Sequence, residues 1–137
     1  MLKIEKIDHV GIATADLQAS KDFFAGILGL IADEDICIAE RNLKICFFKV
    51  GDSALEFVMP TAPESPMSEH LNQYGAGAYH VALGVTDINA ALATLKQNNI
   101  PLKDQEPRAS KIGAHVAFIE QNTLTGNMSF ELLERDR

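Results

Sequence analysis

An internal repeat is the feature that most constrains this chain. A shift of 71 positions carries His9 onto His80, so the segment HVGIATADLQAS, which begins at His9, aligns with HVALGVTDINAA. The same shift carries the apolar run ICFF at 45–48 onto VAFI at 116–119. Two unrelated amphipathic segments would not match at one shift in two separate places. The repeat therefore indicates a duplicated module.

Composition limits the classes of protein to consider. The 137 residues fit one domain, 1–137, whose 47% hydrophobic content is sufficient for a core. A net charge of −7 argues against nucleic acid or an anionic membrane surface as partner. The N-terminus has no apolar signal segment and no stretch is apolar enough to span a membrane, so we expect a cytoplasmic protein. Cys37 and Cys46 have no metal or redox spacing and are expected to be free thiols.

The apolar periodicity and the turn residues predict the order β-α-β-β-β in each half, an α+β fold. In module one, about 4–59, we predict a strand at 4–14, a helix at 17–28 with Asp16 as its N-cap, and strands near 31–39, 43–50 and 54–59. A proline-rich linker at 60–77 contains a short helix at 66–74. In module two, about 78–134, we predict a strand at 78–85, a helix at 88–98 capped by Asp87, and strands near 101–106, 115–120 and 128–134.

Each module places a histidine in its first strand and a glutamate within the apolar run of its last strand. These residues are His9 and Glu56 in module one, and His80 and Glu131 in module two. The His–Glu separations are 47 and 51, and an insertion in the loop 121–127 accounts for the difference. Imidazole and carboxylate together suit divalent ions, and an open site of this kind can polarise a substrate oxygen.

Single residues of this set have simpler explanations. A lone strand histidine is usually a hydrogen-bonded core or surface residue, and strand alternation could turn a glutamate to solvent. As a duplicated set, however, the four predict a metal site. His70 and His115 have no counterpart in the repeat, so we expect a surface helix residue and a loop or strand-edge residue respectively.

Paired βαβββ modules with these histidines and glutamates resemble the vicinal oxygen chelate superfamily, which includes glyoxalase I, extradiol dioxygenases and methylmalonyl-CoA epimerases. The epimerases are the most similar of these. The segments that carry the resemblance are IDHVGIATADL, GDSALEFVMP, ESPMSEHL, GAGAYHVALGVTDINAAL, IPLKDQEPR and FELLE. The linker 64–66 and the run 106–108 favour the epimerases over other members.

The resemblance implies a curved mixed sheet that surrounds a metal site, with His9, Glu56, His80 and Glu131 as ligands. The ion would be Co²⁺, Mn²⁺, Ni²⁺, Zn²⁺ or Mg²⁺, and the protein would be a homodimer. The implied reaction interconverts the (R) and (S) forms of methylmalonyl-CoA through a metal-stabilised enolate. Glu131 is the first candidate for proton transfer. Glu40 is the second, with a solvated hairpin carboxylate as its alternative.

An acyl-CoA substrate also brings phosphates. Arg108 and Lys111 are candidate phosphate contacts, and Gly113 would allow close backbone approach. The alternative is an ordinary solvated loop with two cations.

Two other functions remain open at this point. Several epimerases have Gln in the place of Glu56, whereas a His, Glu, His, Glu set is that of glyoxalase I, a lyase acting on a glutathione hemithioacetal. A non-catalytic ligand-binding member of the superfamily is the other alternative, although the intact set of four argues against it.

Overall fold

The computed structural model describes residues 2–136, which form two compact units. The first unit comprises residues 9–79, and the second comprises residues 2–8 together with 80–136. The boundary lies within the first strand, β1 (Ile4–Ala13), between Asp8 and His9. None of the helices among residues 2–136 has the length and apolarity that crossing a membrane requires.

The first unit contains a mixed sheet in the order β2-β3-β4-β1. Strand β1 pairs parallel with β4, and the other neighbours pair antiparallel. Its elements after β1 are α1 (Leu17–Lys21), a π-helical turn (Asp22–Ile27), β2 (Ile36–Ile38), a 3₁₀ turn (Ala39–Arg41), β3 (Leu43–Val50), β4 (Ser53–Pro60) and α2 (Pro66–Tyr74).

The second unit repeats this arrangement with the order β5-β8-β7-β6. Strand β5 pairs parallel with β8, and the other neighbours pair antiparallel. The elements are β5 (Gly77–Val85, in this unit from His80 onward), α3 (Ile88–Gln97), β6 (Arg108–Ser110), β7 (Ala114–Ile119), a 3₁₀ turn (Thr123–Thr125) and β8 (Ser129–Arg135). The predicted β-α-β-β-β order is confirmed in both halves.

The predicted helix starts are also confirmed, and the two caps are nearly identical. The Asp16 carboxylate accepts a hydrogen bond from the Ala19 backbone N–H, and the Asp87 carboxylate accepts one from the Ala90 N–H, both at 3.0 Å. Each satisfies an N–H that the first turn of a helix leaves without a partner. The 3₁₀ turn at 123–125 lies inside the loop where the sequence requires an insertion.

One face of each sheet packs against the helix of its own unit. In the first unit Leu17 of α1 packs on Cys46, Phe48 and Phe57. In the second unit the cluster beneath α3 contains Val85, Ile88, Ala91, Leu92, Leu102, Ala117 and Leu132. Since strand side chains alternate between faces, the residues between these positions point away from the helices.

Three predicted elements differ from the structure by more than one residue at an end. The prediction of a strand near 101–106 is wrong, because β6 lies at 108–110. Within 101–106, Leu102 alone forms a bridge, an isolated one to Ile119. The Asp104 carboxylate accepts from the Phe118 N–H at 2.8 Å in place of a backbone carbonyl, and Pro107 has no N–H to donate. The strand predicted at 31–39 is reduced to 36–38, and the helix predicted at 17–28 changes to a π-helical turn after Lys21.

Candidate active site

Strand register places the histidine and glutamate of each module side by side. In the first unit Glu56 lies opposite Gly11, two residues after His9 on the parallel neighbour. In the second unit Glu131 lies opposite Ala82, two residues after His80. Residues two apart on a strand share a face, so each glutamate is a diagonal neighbour of its histidine. The register is the same in both units.

Both pairs are buried, with their polar atoms at similar separations. His9 is 1% exposed and Glu56 is 6% exposed, and His9 Nε2 lies 3.6 Å from Glu56 Oε1. His80 is 4% exposed and Glu131 is 6% exposed, and the corresponding distance is 3.9 Å. The sequence left open whether strand alternation turns the glutamates to solvent. The structure answers this, because both carboxylates are buried on the face away from the helices.

The donor set of each pair fits a divalent ion. Separations of 3.6 and 3.9 Å are longer than a hydrogen bond between these atoms. They are a few tenths of an ångström longer than the roughly 3.0–3.4 Å between adjacent ligand atoms of one octahedral or tetrahedral ion whose metal–ligand bonds are about 2.1 Å. One neutral imidazole nitrogen and one carboxylate oxygen are ligands that first-row divalent ions and Mg²⁺ accept.

A phenylalanine lies beside each His–Glu pair, and the sequence analysis did not select it as a site residue. Phe47 lies directly opposite Glu56 across β3 and β4, and Phe118 lies directly opposite Glu131 across β7 and β8. The ring of Phe47 meets the His9 ring nearly perpendicularly at 5.5 Å between centroids, and Phe118 meets His80 at 5.8 Å. Such edge contacts restrict rotation of the imidazole. The signal was available in the sequence, because the 71-residue shift carries Phe47 onto Phe118.

Phe118 also has two cations over its ring. Lys103 Nζ lies 5.8 Å from the ring centroid, and the guanidinium carbon of Arg108 lies 5.7 Å from it. Arg108 Nε is 3.7 Å from the Asp104 carboxylate, and its side chain is 40% exposed. Arg108 was predicted as a substrate contact, whereas Lys103 was not selected.

The other predicted residues lie elsewhere. Glu40 is exposed in the 3₁₀ turn between β2 and β3. Lys111 and Gly113 lie in the turn between β6 and β7, at the opposite end of β7 from Phe118. Gly113 has a φ of 75°, which glycine adopts more readily than other residues.

Two histidines outside the repeat have separate partners. His70 is half-buried on α2, with its ring 5.0 Å from that of Tyr74 and 5.4 Å from that of Tyr79. His115 is exposed on β7, and its Nδ1 lies 3.0 Å from the Asp136 carboxylate. His70 lies on a helix as predicted but is half-buried, and His115 lies within β7, where it is paired with both β6 and β8.

An ion pair connects α1 to the segment before β2 in the first unit. Lys21 Nζ lies 2.6 Å from the Asp35 carboxylate. The hydrogen bond to Asp35 raises the pKa of Lys21. Burial is the largest single effect and would raise the pKa of Asp35, but the hydrogen bond with Lys21 and the charges of Lys21 and Lys44 together outweigh it and lower the pKa of that carboxyl. Cys46, which is fully buried, has a pKa raised by burial, and both cysteines are free as predicted.

Comparison with known proteins identifies the family. Residues 8–118 match the Glyoxalase/Bleomycin resistance protein/Dioxygenase superfamily. The chain belongs to this superfamily. The resemblance seen in the His and Glu pattern is thereby confirmed.

Relatives and solved structures agree with this assignment. The chain is 28% identical to "Uncharacterized protein YqjC" of Bacillus subtilis over 90% of its own length and 88% of that protein. It is 31% identical to the mitochondrial methylmalonyl-CoA epimerase of Bos taurus over 80% of its length, but spans only 62% of that relative. A variant of the Streptomyces coelicolor methylmalonyl-CoA epimerase in complex with 2-nitronate-propionyl-CoA superposes with a TM-score of 0.87 at 25% identity, covering 97% of this chain and 96% of that one. The predicted glyoxalase-like α+β fold is confirmed.

Proposed function

We propose that this protein is a methylmalonyl-CoA epimerase, with His9, Glu56, His80 and Glu131 as ligands of one divalent ion. The observation that carries the proposal is the duplicated, buried His–Glu pair, which has the same strand register in both units. The superfamily assignment and the epimerases among the relatives support the choice of reaction and substrate.

The reaction requires removal and return of the proton on the carbon between the thioester and the carboxylate. A divalent ion held by these ligands would stabilise the negative charge of the enolate that forms when this proton leaves. Glu131 is the candidate base, because its carboxylate is buried on the face of β8 that carries no helix. A proton returned to the opposite face of the enolate gives the other epimer, and Glu40 is the candidate second acid.

The surroundings of the second pair suit a branched acyl group. Ala82, Val116 and Leu133 form a buried apolar cluster with Ala114. By strand alternation Ala82 shares a face with His80, Val116 with Phe118, and Leu133 with Glu131. An apolar surface next to a buried carboxylate excludes water, which strengthens electrostatic interactions at the reacting carbon.

The test is proton NMR of methylmalonyl-CoA in D₂O with the protein loaded in turn with Co²⁺, Mn²⁺, Ni²⁺, Zn²⁺ or Mg²⁺. We expect loss of the C2 proton signal as it exchanges with deuterium, and conversion of (R) to (S) substrate. The Glu131→Gln variant tests the candidate base, and its exchange should be slower by about 10²-fold or more. No exchange with any metal, together with turnover of the methylglyoxal–glutathione adduct, would instead assign the protein to the glyoxalase I type.

A further inference from the structure

Module two carries a pair of cations at positions where module one has different residues. The Lys103 N–H donates to the Phe118 carbonyl at 3.0 Å, as the Asp33 N–H donates to the Phe47 carbonyl at 2.8 Å, so Asp33 is the counterpart of Lys103. Arg108 pairs with Val116, as Ile36 pairs with Ile45. Module one therefore has a carboxylate and an aliphatic side chain where module two has two cations.

We propose that Lys103 and Arg108 form an anion subsite that selects acyl thioesters carrying a negatively charged group. In an acyl-CoA this group is either a carboxylate on the acyl chain or a phosphate of the coenzyme. The inference rests on the proposed function, since it assigns a specificity role at the same site.

The position of the two cations supports this role. Both lie over Phe118, whose ring touches that of His80. Arg108 also shares a sheet face with Phe118, because its partner Val116 is two residues from Phe118 on β7. Each cationic group therefore lies over the ring of Phe118, which in turn contacts the ring of His80. Phe118 is on the sheet face that carries the His80–Glu131 pair. Cations that rest on an aromatic ring lose part of their hydration and interact more strongly with an anion.

The segments that carry the two cations are also held in place before any ligand binds. The backbone of Lys103 and Asp104 is hydrogen-bonded to Phe118, since both N–H groups donate to its carbonyl. The Asp104 carboxylate accepts the Phe118 N–H at 2.8 Å and lies 3.7 Å from Arg108 Nε. This connects both cation-bearing segments to β7. A preorganised subsite loses less conformational entropy on binding.

Two cations are grouped beside one ring on a chain whose net charge is −7. Asp104 lies 3.7 Å from Arg108 Nε, and Glu131, a proposed metal ligand, lies directly opposite Phe118. A localised cationic group on an acidic protein favours one placement of an anionic substrate.

The experiment measures dissociation constants by calorimetry for three compounds on the metal-loaded protein. The compounds are methylmalonyl-CoA, isobutyryl-CoA, which replaces the carboxylate by a methyl group, and methylmalonyl-pantetheine, which lacks the phosphates of the coenzyme. The variants are Lys103→Met, Arg108→Met and the double substitution. Lys96→Met, at an exposed position in the last turn of α3, is the control with the same change of charge.

We expect each single substitution to weaken methylmalonyl-CoA binding about tenfold. Lys103→Arg and Arg108→Lys should restore most of the affinity, and Lys96→Met should have no effect. If the loss disappears with isobutyryl-CoA, the subsite binds the carboxylate. If it disappears with methylmalonyl-pantetheine, the subsite binds a phosphate.

Two results would overturn the inference: wild-type affinity of the double variant for all three compounds, or an equal loss for all three. Failure of wild-type protein to bind any of them would overturn it as well. The C2 proton exchange assay separates this from the proposed function. Charge-dependent binding without exchange would leave the anion subsite standing and refute the epimerase assignment.

Discussion

The two halves of the chain repeat one local arrangement with different surroundings. His9 and Glu56 lie 3.6 Å apart with Phe47 at the edge of the imidazole, and His80 and Glu131 lie 3.9 Å apart with Phe118 at the edge. Around this shared core, module two places Lys103 and Arg108 over the phenylalanine, whereas module one has Asp33 and Ile36 at the corresponding backbone positions.

The difference separates two kinds of position. The histidine, glutamate and phenylalanine lie within strands, where the hydrogen-bond ladder fixes both the neighbour and the face of each side chain. Lys103 lies in the segment between α3 and β6, and Arg108 begins β6 at the end of the β8-β7-β6 ladder. Positions in loops and edge strands can change with little effect on the sheet. We therefore expect the strands to determine metal binding and these peripheral positions to determine substrate preference.

The largest expected effect comes from removing either histidine. His9→Ala and His80→Ala should each abolish stoichiometric metal binding and proton exchange, because both imidazoles are proposed ligands of one ion. Metal content by mass spectrometry and secondary structure by circular dichroism measure this, with His115→Ala as the control. Full metal occupancy in either variant contradicts the ligand assignment, and loss in only one would end the equivalence of the halves.

Substitution of the two glutamates should have more different effects on C2 proton exchange than substitution of the two histidines. Glu131→Gln should slow C2 proton exchange by about 10²-fold or more, since an amide cannot accept the proton. Glu56→Gln should retain activity within about tenfold, because several epimerases have Gln at that position. Exchange rates at saturating substrate measure both. Equal losses would show that the two carboxylates have the same role.

The phenylalanines provide a smaller and more specific test. Phe47→Leu and Phe118→Leu should each lower the free energy of unfolding by about 1–2 kcal/mol, since each loses ring contacts. Only Phe118→Leu should also weaken methylmalonyl-CoA binding, because only its ring supports the two cations. Urea unfolding and calorimetry measure the two effects. Equal weakening of binding by Phe47→Leu would contradict the asymmetry.

The smallest expected effect concerns the attachment of the helix in module one. The 71-residue shift carries Lys21 onto Leu92, so module one has an ion pair where module two has a buried leucine. Asp35→Asn should reduce the free energy of unfolding at pH 7 by up to about 1 kcal/mol.

This effect should depend on pH in a defined direction. The pKa of Asp35 is below its ordinary value of 3.8, so the carboxylate stabilises the fold above pH 3.8 and this contribution is lost as the pH falls through the lowered pKa. The difference between wild type and Asp35→Asn, measured by urea unfolding, should therefore diminish toward acid. The pKa of Lys21 is raised above 10.5, so the stabilisation from its positive charge is present below pH 10.5 and is lost as the pH rises through the raised pKa. A difference that is constant from pH 7 to pH 2 would exclude the ion pair as its source.

The accuracy of the sequence predictions varied with the local physics. The caps at Asp16 and Asp87 were predictable because they depend only on neighbouring backbone groups. The absence of a strand near 101–106 was not predictable. The residue pattern of this segment resembles that of a strand, but the Asp104 side chain accepts the Phe118 N–H in place of a backbone carbonyl. The π-helical turn at 22–27 was also missed, since helical periodicity does not register the longer hydrogen bond from the Leu28 N–H to the Phe23 carbonyl. The homodimer and the cytoplasmic location remain predictions.

The sequence by itself determined the duplication, the order of elements and the four ligand candidates, because the repeat preserves residue type, and its spacing changes only by an insertion before Glu131. Only the tertiary structure decided that the carboxylates are buried, that a phenylalanine orients each histidine, and that Lys103 joins Arg108 over one ring. These facts depend on the register between strands and on the path of a loop. Register and loop path arise from pairing between distant segments, which residue spacing along one chain does not specify.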